Sequence, residues 1–190
     1  MYNRVSIKNF LLKGNPVITL TGNEFAKKEG YTLTQQVTEY YNSIGNTVIS
    51  PDYGEIILDK QSVEDDFAHG VGRVKAVAFA AVPAVIEKGV VILPLAQHKT
   101  DENSKIYSAM IAAPIQIAEK EYICVVVIRQ YFSGNRKLYV HEITLKEKLL
   151  DIDNQEVISV SLLGSSNPAP LPATNQGDIT KVLQNILSAK

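Results

Sequence analysis

The sequence predicts a single α+β domain in which an N-terminal section with helices packs on an antiparallel sheet built round a three-stranded meander, about 106–145. Three observations lead there. Three β-rich runs, Ile106–Ile117, Tyr122–Tyr131 and Lys137–Leu145, follow one another with only short turn-rich gaps around Glu119-Lys120 and Ser133-Gly134-Asn135. Gaps that short force antiparallel neighbours, because a parallel return needs roughly a dozen residues. Upstream, helical spacing and capping residues replace the strand pattern. Finally, 190 residues of 45% hydrophobic content suit one folded soluble domain.

The elements follow in chain order. The opening MYNRVSIKNF lacks the apolar core and small-residue cleavage site of a signal peptide. A cytoplasmic chain, or one delivered into a target-cell cytoplasm, is the corresponding expectation. Val17–Thr21 alternates and meets the turn signal Gly22-Asn23, so it reads as a short strand. Thr32 or Thr34 can cap a helix over Leu33–Ser43 that ends at Gly45-Asn46. TVIS, the turn Pro51–Gly54 and EIIL read as strand, turn, strand.

Gln61–Phe67 reads as one or two acidic helical turns, and His69-Gly70-Val71-Gly72 as tight, non-helical backbone. A helix is expected from Arg73. Pro83 has no N–H and clashes one turn back, so the segment should be two helical pieces with Pro83 in the first turn of the second. Lys88-Gly89 closes that piece, VVIL follows as a strand ending at Pro94, and Leu95–Ser104 reads as a polar loop. The longest apolar stretch, Ala76–Ile86, is too short to cross a membrane and contains Pro83.

After the meander, Val157–Leu163 reads as a last strand. Residues 164–177 form a Pro/Ser/Asn-rich linker, and Asp178 opens a C-terminal helix with Ile179, Val182, Leu183, Ile186 and Leu187 at helical spacing. The expected division is therefore a domain over 1–163, a linker over 164–177 and a helix over 178–190.

Charge and composition narrow the function. The net charge is −1, so nucleic-acid binding would need a local basic cluster rather than an overall field. One cysteine, Cys124, excludes an internal disulfide and a cysteine-rich zinc site, and its setting in YICVVVI is that of a core strand. The sequence contains no phosphate loop, no GxGxxG after a strand, no GxSxG and no HExxH. No metal and no cofactor are expected.

Two clusters could carry chemistry. In the first, the helix start after Gly72 offers free N–H groups, Arg73 and Lys75 add positive charge for a phosphate, and His69 stands beside them as a proton-transfer group. The bland alternative is a solvated loop. In the second, Tyr139 and His141 lie two apart on a strand and should share one face with Lys137, while Val140 takes the other. Arg129, at the end of the neighbouring strand, adds a further phosphate-binding cation. Here the alternative is a hydrogen-bonded structural histidine. His98, in AQHKTDENSK, reads as an exposed loop residue. Joined in space, His69, His141, Lys75 and Tyr139 could supply base and acid, and Arg73, Lys75 and Arg129 the positive charge, that RNA cleavage by its own 2′-hydroxyl requires.

NPVITLTGNEF at 15–25, YYNSIGNTVISPDYGEIIL at 40–58 and AFAAVPAVIEKGVVI at 78–92, with SAMIAAPIQI, YICVVVIR and LYVHEITLKEKL later, resemble a domain of phage and mobile-element polyvalent proteins. That domain also ends MuF-type head-morphogenesis proteins, and the resemblance covers about 15–150. It implies kinship with the nuclease superfamily of barnase, EndoU, colicin and RelE-like toxins, a small α+β fold and, in many members, metal-independent RNA cleavage. It places the two family histidines at His69 and His141. Members often carry a serine or second histidine beside the first, where this chain has Phe67-Ala68.

The implied function is a toxin-type endoribonuclease acting on RNA, tRNA among the candidates, and matched by an immunity protein. Its oligomeric state is left open. The competing readings are a noncatalytic interaction domain of mobile elements and an ADP-ribosyltransferase. Against the last, Glu142 is expected on the opposite face from His141.

Overall fold

The computed structural model describes residues 3–58, 60, 63–64, 72–97, 106–131, 137–150, 157–162 and 176–189. The expectations for His69, His98, most of Gln61–Phe67 and the linker up to residue 175 lie outside these residues.

The elements are α1 (Arg4–Lys13), β1 (Thr19–Leu20), α2 (Leu33–Ser43), β2 (Thr47–Ser50), β3 (Gly54–Ile57), α3 (Arg73–Ala78), a 3₁₀ turn (Phe79–Ala81), α4 (Val82–Lys88), β4 (Val90–Gln97), β5 (Ile106–Ile117), β6 (Lys120–Tyr131), β7 (Leu138–Leu150), β8 (Val157–Leu162) and α5 (Gln176–Leu187). The chain is α+β, as its sequence predicts. Among the described residues, β5, β6 and β7 form the antiparallel meander at the centre of an eight-stranded sheet. On one side β5 is flanked by β4 and, past it, by β1. On the other side β7 is flanked by β3 and, past it, by β8, with β2 outside β3.

Pro114 lies within β5, a strand paired on both sides, where a missing N–H normally breaks a ladder. The register removes the difficulty. β4 reaches only to Ala112 and β1 begins opposite Gln116, so Pro114 sits at the gap between them. Its carbonyl still accepts from Val17 N at 2.8 Å.

Alternation sorts the meander into two buried faces. The first carries Ala109, Ile111, Ala113, Cys124, Val126, Ile128, Val140, Ile143 and Leu145, and packs under α2, α3, the 3₁₀ turn and α4. The second carries Met110, Ala112, Ile123, Val125 and Val127, and packs under α1 and α5. The sheet is thus sandwiched between helices. Ile179, Leu183 and Ile186 of α5 are buried there, each contributing roughly 1.5–3 kcal/mol of apolar burial.

On the first face, α2 shows a full capping box: Thr32 Oγ1 accepts from Gln35 N, and Gln35 Oε1 accepts from Thr32 N at 2.7 Å. Pro83 stands in the first turn of α4, as its lack of an N–H requires.

Three expectations shift, and one helix is new. α1 escapes notice because only Ile7 and Leu11 are buried along it. It forms because Asn3 Oδ1 caps Ser6 N at 2.7 Å and Gly14 N–H closes on Phe10 O. Its negative C-terminal end meets Lys148, whose Nζ lies 3.4 Å from Leu12 O and 2.9 Å from Glu121 Oε2. β4 does not stop at Pro94 but runs on to Gln97, because Pro94 falls in a register shift of a strand that pairs, among the described residues, with β5 alone. The expected first strand shortens to Thr19–Leu20, parallel to β5, although Val17 N–H and Ile18 O also bond to that strand. The terminal helix starts at Gln176, ahead of Asp178.

Candidate functional site

β7 does not alternate through its middle. Val127 of β6 faces Glu142 and Ile128 faces Val140, so His141 is an extra residue, a β-bulge. A bulge re-aims side chains and breaks the two-residue period. Tyr139 pairs with Arg129, and Glu142 pairs with Val127. Arg129 and Val127 share the second face, so Tyr139 and Glu142 do too. Plain alternation, which would put His141 on the face of Tyr139 with Glu142 on the opposite face from His141, is broken here by the bulge. Glu142 keeps company with Tyr139, and the phase of His141 is set by the bulge. Tyr139, His141 and Glu142 are all half-buried.

The register carries this row sideways. Ala96 of β4 pairs with Ser108 of β5, Ser108 with Arg129 of β6, Arg129 with Tyr139 of β7, and Tyr139 with Ile57 of β3. Directly opposed residues bring their Cβ atoms to about 5 Å. Arg129 thus stands between a serine and a tyrosine on one face of the sheet. Ser108 is 2% exposed, and its Oγ has no hydrogen-bond partner among the described residues. Nor has Nε of the half-buried Arg129. An unmet buried polar atom costs about 1–3 kcal/mol, so two at adjacent positions are a marked departure from the usual satisfaction of buried groups.

The sheet separates the predicted site residues. Arg129 and Tyr139 rise from the second face. Arg73 and Lys75 ride on α3, whose Val77 and Ala78 pack into the first-face core. Arg73 is exposed and Lys75 half-buried. Lys75 also acts on Cys124 of that face: burial pushes the thiol up to about 12, against a downward pull from the Lys75 ammonium. The structure brings together Arg129, Tyr139 and the neighbouring bulge at His141. It sets α3, which carries Arg73 and Lys75, against the face opposite Arg129 and Tyr139.

Sequence reasoning missed Ser108. Its signal is phase: in SAMIAAPIQI, Ser108 shares the period of Met110 and Ala112, which are fully buried. A hydroxyl in step with core positions is a polar group that the fold has placed inside.

Further along β7 the second face holds Thr144, Lys146 and Lys148, all buried. Lys148 is paired to Glu121. Burial lowers the Lys146 ammonium below its ordinary value. No helix of the described residues is long and apolar enough to cross a membrane.

Among known proteins, no curated protein and no solved structure matches the chain. A family pattern does match, over residues 28–148. That span runs from the approach to α2 through the whole meander and takes in Ser108, Arg129, Tyr139 and His141. It covers well over half of the 190 residues, and the protein belongs to the family described as large polyvalent protein-associated domain 3.

Proposed function

We infer that the domain is a metal-independent endoribonuclease of toxin type, in which the second-face row around Arg129 receives a backbone phosphate. The observation that carries this reading is the pairing of Arg129 with Tyr139 beside the bulge at His141. Transesterification by the 2′-hydroxyl needs a base for that proton, an acid for the departing 5′-oxygen and positive charge on the phosphorane. Arg129 supplies the charge. The phenol of Tyr139 and the imidazole of His141 supply proton transfer, an imidazole being suited to it near neutral pH. Relative to the sequence expectation, Arg73 and Lys75 leave the reacting centre, because α3 lies on the other layer. The family's association with polyvalent proteins supports a phage or mobile-element setting, and a toxin there would be matched by an immunity protein.

The test is incubation of purified protein with RNA in EDTA. Cleavage leaving 2′,3′-cyclic phosphate ends is expected, with His141→Ala or Tyr139→Phe lowering the rate by about 10²-fold. Undiminished cleavage by both variants removes the site assignment, and intact RNA removes the activity.

One observation favours a second reading, a noncatalytic interaction domain. β2 is an edge strand that carries Ile49 at 62% exposure. Intact RNA together with a partner that pairs along β2 would select it.

A further inference from the structure

We propose that Ser108 and Arg129 form a dedicated phosphate pocket in the second face of the sheet. Two polar atoms at paired register positions, Ser108 Oγ and Arg129 Nε, lack hydrogen-bond partners among the described residues. Ser108 is 2% exposed, so its hydroxyl cannot turn freely to water. Tyr139 flanks the guanidinium on the other side.

The chemistry of the open atoms selects the ligand. Nε is the guanidinium donor used, with one terminal N–H, when an oxyanion binds side-on through two oxygens. A serine hydroxyl alongside donates a further hydrogen bond to one of these oxygens, each of which can accept more than one. Charge-assisted hydrogen bonds of this kind are shorter and stronger than neutral ones. A phosphate offers enough acceptor oxygens for all three donors, and a chloride does not. The proposal rests on the ribonuclease reading only in taking an RNA phosphodiester, rather than free phosphate, as the natural occupant.

The pocket also predicts an opposition between stability and binding. Replacing a buried hydroxyl that has no partner by a methyl removes a desolvation penalty. Ser108→Ala should therefore melt higher than the parent without ligand while binding phosphate more weakly. A serine that served only the fold would not show that opposition.

The experiment is titration of the ¹⁵N-labelled full chain with inorganic phosphate, following the Arg129 Nε–H resonance. Parallel titrations use chloride at matched ionic strength, a 2′-O-methyl dinucleotide with a phosphodiester, and the same dinucleotide with an uncharged methylphosphonate link. Expected are a saturable shift with phosphate, none with chloride, and tighter binding of the diester than of its uncharged analogue. Ser108→Ala should weaken binding about tenfold with the methyl spectrum preserved, and Arg129→Met should abolish it. Free phosphate binding more tightly than the diester would support the pocket while moving its natural occupant to free phosphate. A shift shared with chloride, or unaltered affinity in Ser108→Ala, would overturn the pocket. Saturable phosphate binding by a chain that leaves RNA intact would keep the pocket and sink the nuclease. RNA cleavage that is indifferent to Ser108→Ala and Arg129→Met would keep the activity but overturn both the pocket and the place of Arg129 in the reacting centre.

Discussion

The hydroxyl of Tyr41 in α2 lies 3.4 Å from the carbonyl oxygen of Phe79, the residue four before Pro83. An ordinary helix would fill that carbonyl with the N–H at position 83, which proline lacks. Val82 N–H takes it in 3₁₀ fashion and Tyr41 shares it, while Tyr40 OH donates to Ala80 O at 3.2 Å. Two adjacent tyrosines thus dock α2 on the break that Pro83 imposes. Tyr41→Phe should cost about 0.5–1.5 kcal/mol, the net worth of one hydrogen bond. Tyr41 is 1% exposed, so Tyr41→Ala should cost about 3–5 kcal/mol through the cavity it leaves. Urea denaturation of both variants checks the difference.

Gly89 between α4 and β4 has no room for a side chain. An added Cβ would meet Val85 O, Ala112 O and the Ile111 side chain, and two of these three are backbone. Gly89→Ala should destabilise by about 1–3 kcal/mol, the range for overpacking, and a lowered urea midpoint with unchanged slope would show it.

Cys124 should be inert in the folded chain. Its thiol, fully buried on the first face, is pushed from 9.0 up to about 12. The thiolate is the reactive form, so labelling by a disulfide reagent at pH 8 should track unfolding and accelerate in denaturant. Because the folded value lies above the unfolded one, the folded state holds its proton longer. This contribution to stability is intact below about pH 9 and is lost as pH rises toward 12. Prompt labelling in native buffer would contradict that burial.

Lys146 bears the opposite sign. It is 5% exposed, and burial lowers its ammonium below 10.5. The charged form is disfavoured in the fold, so this group's contribution becomes more favourable as pH rises from the depressed folded value toward the unfolded one. Lys146→Met should raise the melting temperature at pH 7 by about 2–4 °C, corresponding to about 1 kcal/mol for a chain of this size. A fall of that size by calorimetry would show that the ammonium has a stabilising role.

Arg129→Lys preserves charge but cannot donate side-on. If the second-face row holds the reacting phosphate, this variant should lower kcat/KM for RNA by about 10²–10³-fold, as loss of one preorganised donor does. Arg73→Ala and Lys75→Ala, on the opposite layer, should change it far less. A larger loss from Lys75→Ala than from Arg129→Lys would move the reacting centre to α3.

The elements legible from sequence are those set by local rules. Thr32 and Gln35 announce the start of α2, Pro83 breaks α3 from α4, and the spacing between Ile117 and Lys120 admits only a hairpin. α1 was illegible because two buried residues give too weak a period. The sequence pattern ends β4 at Pro94, because proline stops a strand unless a register shift accommodates it. Arg129 and Tyr139 could each be picked out as polar groups on strands, but nothing in their spacing showed that they oppose each other.

By itself, then, the amino-acid sequence determined α2, the break between α3 and α4, and the antiparallel order of the meander, because caps, prolines and short turns act over a few residues. Tertiary structure alone decided which face of the sheet Arg129, Tyr139 and Glu142 occupy. One extra residue at His141 resets the phase of β7, and the sheet then parts Lys75 from Arg129. Both follow from the pairing of β6 with β7, a contact between distant residues that no local pattern encodes.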